Sequence, residues 1–161
     1  MTATNDRRAT VTTPSDTQIL ITREFDVPRH LVYRAFTTPE LLRRWWHANR
    51  HEVTGVEMDV RVGGRWRWSA KAFNGYEFAF YGEYREVVPD ERLVTTETFS
   101  GVPEAEAVTT TTFAEKDGLT RLEILVEHQT KANRDGQLES GMEDGMQDAL
   151  ALLEALVRER A

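Results

Sequence analysis

An α+β domain is predicted, in which a curved antiparallel sheet of six or seven strands wraps a long C-terminal helix. Three observations predict it. Two short amphipathic segments come early, over residues 31–36 and 41–46. A series of short alternating segments follows from residue 52, and residues 142–157 close the chain with helical spacing.

The elements follow in order. Thr17 to Phe25 alternates polar with apolar residues, and Ile19, Ile21 and Phe25 support a half-buried first strand. Pro28 is tolerated in a helix's first turn, and Leu31, Val32, Ala35 and Phe36 share one face of a short helix. Thr38-Pro39-Glu40 restarts the chain with an N-cap candidate, a proline at the first helical position and an acidic first turn. Leu41, Leu42, Trp45 and Trp46 repeat the spacing on a second short helix.

Val53 to Met58 and Val60 to Val62 read as brief strands before a turn or bulge at Gly63-Gly64. Arg65 to Ala70 and Glu77 to Tyr84 alternate cleanly, and Asn74-Gly75 between them signals a hairpin with a type I′ turn. Pro89-Asp90-Glu91 turns the chain into Leu93 to Phe99, and residues 100–105 form a looser loop. Ala107 to Phe113 and Leu119 to Gln129 make a last hairpin across Lys116-Asp117-Gly118. Successive hairpins require an antiparallel meander. Met142, Met146, Ala149, Leu150, Leu153, Leu156 and Val157 then keep one helical face, with a capping-box match at Ser140 to Glu143 and an earlier possible start at Asp135-Gly136.

At 161 residues, 40% apolar and 29% charged, the chain suits one soluble domain over residues 17–161, preceded by a loose polar tail over residues 1–16. The chain contains no cysteine, which excludes disulfides, thiol catalysis and thiolate zinc sites. A net charge of −7 with dispersed acids argues against a phosphate-backbone interface, so no nucleic acid partner is expected. No stretch reaches the roughly 20 apolar residues of a membrane span, and the N-terminal residues lack a secretory h-region. No membrane partner and a cytoplasmic location are the expectations.

Several pieces together resemble the family named for the activator of heat-shock-protein-90 ATPase, within the START-like superfamily (also called SRPBCC) of lipid-transfer proteins, polyketide cyclases and pollen allergens. They are Arg23 to Pro28, Leu31 to Glu40, Trp45-Trp46, Asp59 to Trp66, Gly82-Glu83-Tyr84, Pro89 to Leu93 and the helix from Gly141 to Leu156. They span about residues 18 to 158. The resemblance implies a helix-grip fold, with a bent sheet gripping the last helix and a cavity between them. Bacterial members similar to this chain are proposed small-molecule binders or stress-response proteins, and the family carries no universal catalytic residue. Fold alone does not transfer function. The chain shows no second domain of the kind that accompanies this one in the eukaryotic co-chaperone, so a chaperone partner would have to be met by this domain's surface.

Strand alternation nominates the inner wall. Trp66 and Trp68, then Phe78, Phe80 and Tyr84, then Leu122, Ile124, Val126 and His128 share inward faces, opposite Met142, Met146, Leu150 and Leu153 on the helix. The candidate ligand-binding residues are Trp46, Trp66, Trp68, Phe78, Phe80, Tyr84, His128, Met142, Met146 and Leu150. Such aromatics and thioethers either line an adaptable pocket or simply fill a core. Gly141 and Gly145, four apart on the predicted helix, each cost about 1 kcal/mol against alanine there. They read either as close packing or as space left for a ligand. His128 is the histidine that alternation places inside, available to hold a polar group or to act as acid or base. Of Trp45 and Trp46, one ring would plug the core while the other caps the pocket mouth or meets a partner, unless both pack beneath the sheet edge.

His47 and His51 have the spacing of a helical metal pair but lie at a helix exit without a third ligand, and Gly63-Gly64 is too little for a phosphate loop. No metal, cofactor or catalytic residue is expected. The reading that results is a binder of a small hydrophobic molecule. Two alternatives stand beside it: a cyclase- or hydrolase-like enzyme using His128, and a co-chaperone-like protein working through the Trp45-Trp46 surface. Exposed sheet edges admit a homodimer, though no residue requires one.

Overall fold

The computed structural model describes residues 8–160. Eight strands form one antiparallel sheet: β1 (Thr10–Thr12), β2 (Gln18–Phe25), β3 (His51–Met58), β4 (Arg65–Ala72), β5 (Glu77–Val88), β6 (Arg92–Phe99), β7 (Ala107–Lys116) and β8 (Leu119–Glu127). Their spatial order is β1-β2-β8-β7-β6-β5-β4-β3. Helices α1 (Arg29–Thr37) and α2 (Pro39–Leu42) intervene between β2 and β3, and α3 (Lys131–Glu139) and α4 (Met142–Glu159) follow β8. The curved sheet around a C-terminal helix agrees with the predicted fold class. Its strand count is one above the expected maximum.

The additional strand lies where a loose tail over residues 1–16 was expected. Residues 1–7 of that tail lie outside the described residues. From there Ala9 is buried, Thr10 to Thr12 pairs with Thr22 to Leu20, and the Gln147 side-chain amide accepts from the Ala9 N–H at 2.9 Å and donates to its carbonyl at 2.8 Å. A helix side chain thus takes the place of a strand partner, satisfying both backbone groups of Ala9. Val60 to Val62, predicted as a brief strand, is instead a turn closed by Gly64 N–H donating to the Arg61 carbonyl.

The second short helix stops sooner than its apolar spacing predicted. Pro39 starts it at the first helical position, but regular helix ends at Leu42 and hydrogen-bonded turns carry the chain through Trp45 and Trp46. Positive φ at Ala48 (53°) and Asn49 (60°) then swings the backbone into β3. The C-terminal helix is two helices. Gly141 takes φ +83° between them, a left-handed conformation that glycine adopts without steric cost. The predicted capping box therefore does not form, and the Ser140 hydroxyl donates to the Gln137 carbonyl instead.

Two hairpins exchange their expected turns. At Asn74-Gly75 the φ of Gly75 alone is positive, and the Asn74 side chain accepts from the Tyr76 N–H at 3.0 Å, giving a three-residue loop over residues 73–75. The two-residue turn with positive φ at both positions is Asp117-Gly118 (55° and 78°), joining Lys116 to Leu119.

The core sits between the sheet's concave face, α1 and α4. Phe25, Phe113, Leu122, Leu153 and Val157 are fully buried in it. Phe113 meets Tyr33 and Phe36 edge-on, with ring centroids 5.4 and 5.6 Å apart. Thr120 donates to the Val27 carbonyl at 2.7 Å, fixing the approach to α1. Among the described residues, no helix is long and apolar enough to cross a membrane.

Candidate functional site

The N-terminal half of α4 does not close down onto the sheet. Between them lies a cavity of about 340 Å³, within the size range of small-molecule sites. Met142, Gly145, Met146, Ala149 and Leu150 line it from α4, and Trp45, Trp46, Ala48 and Arg50 from the turns after α2. The sheet contributes Trp66 and Trp68 from β4, Phe80 and Tyr84 from β5, Leu93, Thr95 and Glu97 from β6, Thr109 and Thr111 from β7, and Ile124 and Val126 from β8.

Of the residues nominated from sequence, Trp46, Trp66, Trp68, Phe80, Tyr84, Met142, Met146 and Leu150 come together on this wall. Phe78 and His128 do not. Phe78 packs outside it against His51, Tyr76 and Phe99, at centroid distances of 5.3, 6.1 and 6.1 Å. His128 lies just past the end of β8, where its Nε2 meets the Gln137 side-chain oxygen of α3 at 2.5 Å. The alternation that pointed it inward holds, but α3 covers that end of the sheet and intercepts the ring.

The tryptophan pair divides its work. Trp45 is 4% exposed and donates its indole N–H to the Ala35 carbonyl at 3.0 Å, anchoring the turn to α1. Trp46 is half-buried and sits edge-on to His51, Trp68 and Phe80 at 5.0, 5.6 and 6.1 Å. The Trp66 and Trp68 rings meet at 4.7 Å. Edge-to-face contacts of this kind hold aromatic rings in fixed orientations, which makes the wall stiff.

Gly145 is open on the side that a close-packing role would fill. A side-chain carbon there would meet nothing nearer than Arg50 Cδ, at 3.7 Å, and no strand atom. Its glycine leaves space at the cavity rather than admitting a strand. Arg50 lies over this position and pairs with Asp148 at 2.8 Å; both residues are half-exposed, which puts them at the rim.

Of the polar groups on the wall Tyr84 was nominated from sequence, whereas Glu97 and His51 were not nominated as ligand-binding residues. Glu97 is half-buried on the cavity wall, and burial raises its carboxyl pKa against a smaller opposing effect from the Thr109 hydroxyl, which donates at 3.2 Å. Burial, with a contribution from His47, lowers the pKa of His51, whose Nε2 is buried without a protein partner. Burial likewise raises the Tyr84 phenol, with Tyr33 and Asp59 adding to it. Continuing the β6 alternation from Leu93 through Thr95 reaches Glu97. The signal was present but faint, because threonines occupy both faces of β6 and β7.

His47 turns its ring back on its own turn, meeting the Arg44 carbonyl at 3.2 Å and accepting from the Asn49 N–H at 2.9 Å. Among the described residues, no three metal-ligating side chains are grouped to hold an ion.

Comparison with known proteins follows the fold. Among solved structures, a Chromobacterium violaceum protein is 33% identical, with a TM-score of 0.76 over 89% of this chain and 98% of its own. A Mycobacterium smegmatis protein is 26% identical, with a TM-score of 0.82 over 92% of this chain and 96% of its own. A Rhodobacter sphaeroides protein at 23% identity shares the fold, with a TM-score of 0.87 over 94% of this chain and 99% of its own. No curated protein matches. The family model described as Activator of Hsp90 ATPase homolog 1-like protein matches residues 26–158, from the loop before α1 to the end of α4, and the chain belongs to that family.

Proposed function

We propose that this protein is a cytoplasmic, non-catalytic binder of a small, largely apolar molecule held between the sheet and the start of α4. The observation that carries this reading is the cavity itself. Two methionines and several aromatic rings border open space there instead of interdigitating. Protein interiors ordinarily pack to crystal-like density, and space of this size left among large apolar side chains loses their dispersion contacts unless a ligand supplies them.

The enzyme alternative loses its chosen acid or base, since His128 is engaged with Gln137 and does not line the cavity. The chaperone-facing alternative loses most of its surface, since Trp45 is buried and Trp46 packs among Trp68 and Phe80. Native mass spectrometry of gently purified protein tests the leading reading, with released molecules identified after denaturation. An apolar species near one per chain is the expected result. Failure of a panel of apolar fluorescent probes to bind the empty protein would count against it.

A further inference from the structure

The cavity has one acidic group among its lining residues, Glu97. Across the β6–β7 ladder its direct neighbour is Ala107, too small to cover the carboxyl, and the hydroxyl of the diagonal Thr109 donates to Oε1 at 3.2 Å. No ion pair among the described residues includes it. Arg50, the cation on the same wall, is engaged by Asp148 at the rim. A carboxylate taken out of water must meet a countercharge or give up its charge to a proton. Glu97 is half-buried, and one neutral hydroxyl replaces only part of the water it has lost.

The aromatic part of the wall is suited to a cation, although Arg50, His51 and the unpartnered indole N–H groups of Trp66 and Trp68 share the lining. Trp46, Trp66, Trp68, Phe80 and Tyr84 put five electron-rich rings around the same space. Aromatic faces attract ammonium groups through the ring quadrupole, most strongly where water is excluded. We infer that the cavity takes a lipophilic amine, whose ammonium group pairs with the Glu97 carboxylate while its apolar body lies between the aromatic wall and Met146. This rests on the reading of the cavity as a ligand site and names the class of ligand. A neutral alcohol of the same shape would keep the apolar contacts. It would lose the charge-assisted hydrogen bond, the stronger kind, and the attraction to the rings.

Naphthylmethylamine and naphthylmethanol, which differ in the ammonium and hydroxyl alone, make the test at neutral pH by titration calorimetry. Wild-type protein is expected to bind the amine tighter by about tenfold, the combined effect of a charge-assisted bond and cation–π contact. Glu97→Gln, with folding checked by the near-ultraviolet signal of its tryptophans, is expected to cut that preference several-fold, leaving the smaller part that the rings supply. Equal or tighter binding of the alcohol by wild type would overturn the inference while leaving the ligand-site reading intact, and this comparison needs no variant to fold. An amine preference undiminished in Glu97→Gln would overturn it as well. Binding of neither probe to wild type would count against the ligand site itself.

Discussion

Arg50 donates to one carboxylate oxygen of Asp148 twice, from Nε at 3.0 Å and Nη2 at 2.8 Å, and so ties the turn leading into β3 to α4 across the rim of the cavity. Both side chains are 50% exposed, so screening by water leaves the pair worth less than about 1 kcal/mol to folding. Its effect is expected in ligand exchange instead. Arg50→Ala should leave the melting temperature nearly unchanged and speed the release of a bound apolar fluorophore in a stopped-flow chase. An unchanged release rate would remove Arg50 from the rim's function.

Gly145 gives opposite results with two substitutions. Alanine would place its methyl group at ordinary contact distance from Arg50 and should stabilise the helix by about 1 kcal/mol. Leucine would extend into the space beside Met146 and Met142. The expected outcome is a folded Gly145→Leu protein, judged by circular dichroism, with a sharply reduced capacity for apolar probes. Full capacity in that variant would show that the ligand does not use this end of the cavity.

Glu97 makes stability depend on pH. Its carboxyl pKa is raised above the ordinary 4.5 by burial, so the folded protein holds its proton to higher pH than the unfolded chain does. Stability from this group is therefore full below the ordinary value and declines as pH rises toward the raised one. Glu97→Gln should flatten that decline in urea titrations across the acid-to-neutral range. His51 has the opposite sign: its lowered pKa favours the neutral ring in the fold, so its contribution is lost as pH falls below the ordinary 6.5. A variant lacking His51 should keep the decline attributed to Glu97.

Arg23 and Glu154 join β2 to α4 at 2.8 Å, with side chains 5% and 16% exposed, and Glu154 also reaches Arg158 at 3.2 Å. Removing the acid alone, in Glu154→Ala, takes one countercharge from a buried guanidinium and should cost up to about 3 kcal/mol. The double variant Arg23→Met, Glu154→Leu should recover most of that loss in chemical denaturation. If it is no more stable than the single variant, then the pair contributes more than replacement packing can supply.

Gln147 holds Ala9 by both backbone groups, so Gln147→Leu should release β1. Hydrogen exchange at Val11 is expected to quicken while the strands β5 to β8 keep their protection, with a loss of about 1 kcal/mol per hydrogen bond. Uniform loss of protection would instead make β1 part of the global unfolding unit.

The periodicities were legible residue by residue. Ile19, Ile21 and Phe25 gave β2 its inner face, and the wall residues Trp66, Trp68, Phe80 and Tyr84 followed from alternation alone, because a strand's side chains must point to opposite faces. Three features resisted that reading. β1 is a three-residue Thr-Val-Thr segment anchored through Ala9 to Gln147, and no local signal announces a partner 138 positions away. Helix α3, ahead of Gly141, has no apolar repeat of its own to announce it, since Arg134 is its buried residue. Glu97 stood among threonines that blur the inside from the outside of β6 and β7.

By itself, the sequence determined the order of the main elements from β2 to β8 and α4, their antiparallel hairpins and most of the inward apolar residues, since each is set by local geometry and the burial of a repeating face. Whether those inward residues would fill the core or border a cavity was decided only by tertiary structure. That outcome depends on how far α4 stands from the sheet at Met142 and Met146. The distance is set jointly by the Gly141 bend, the tryptophans after α2 and the curvature of strands far apart in the chain. The same assembly gave Glu97, among the described residues, the Thr109 hydroxyl as its hydrogen-bond partner, with Ala107 opposite it on β7.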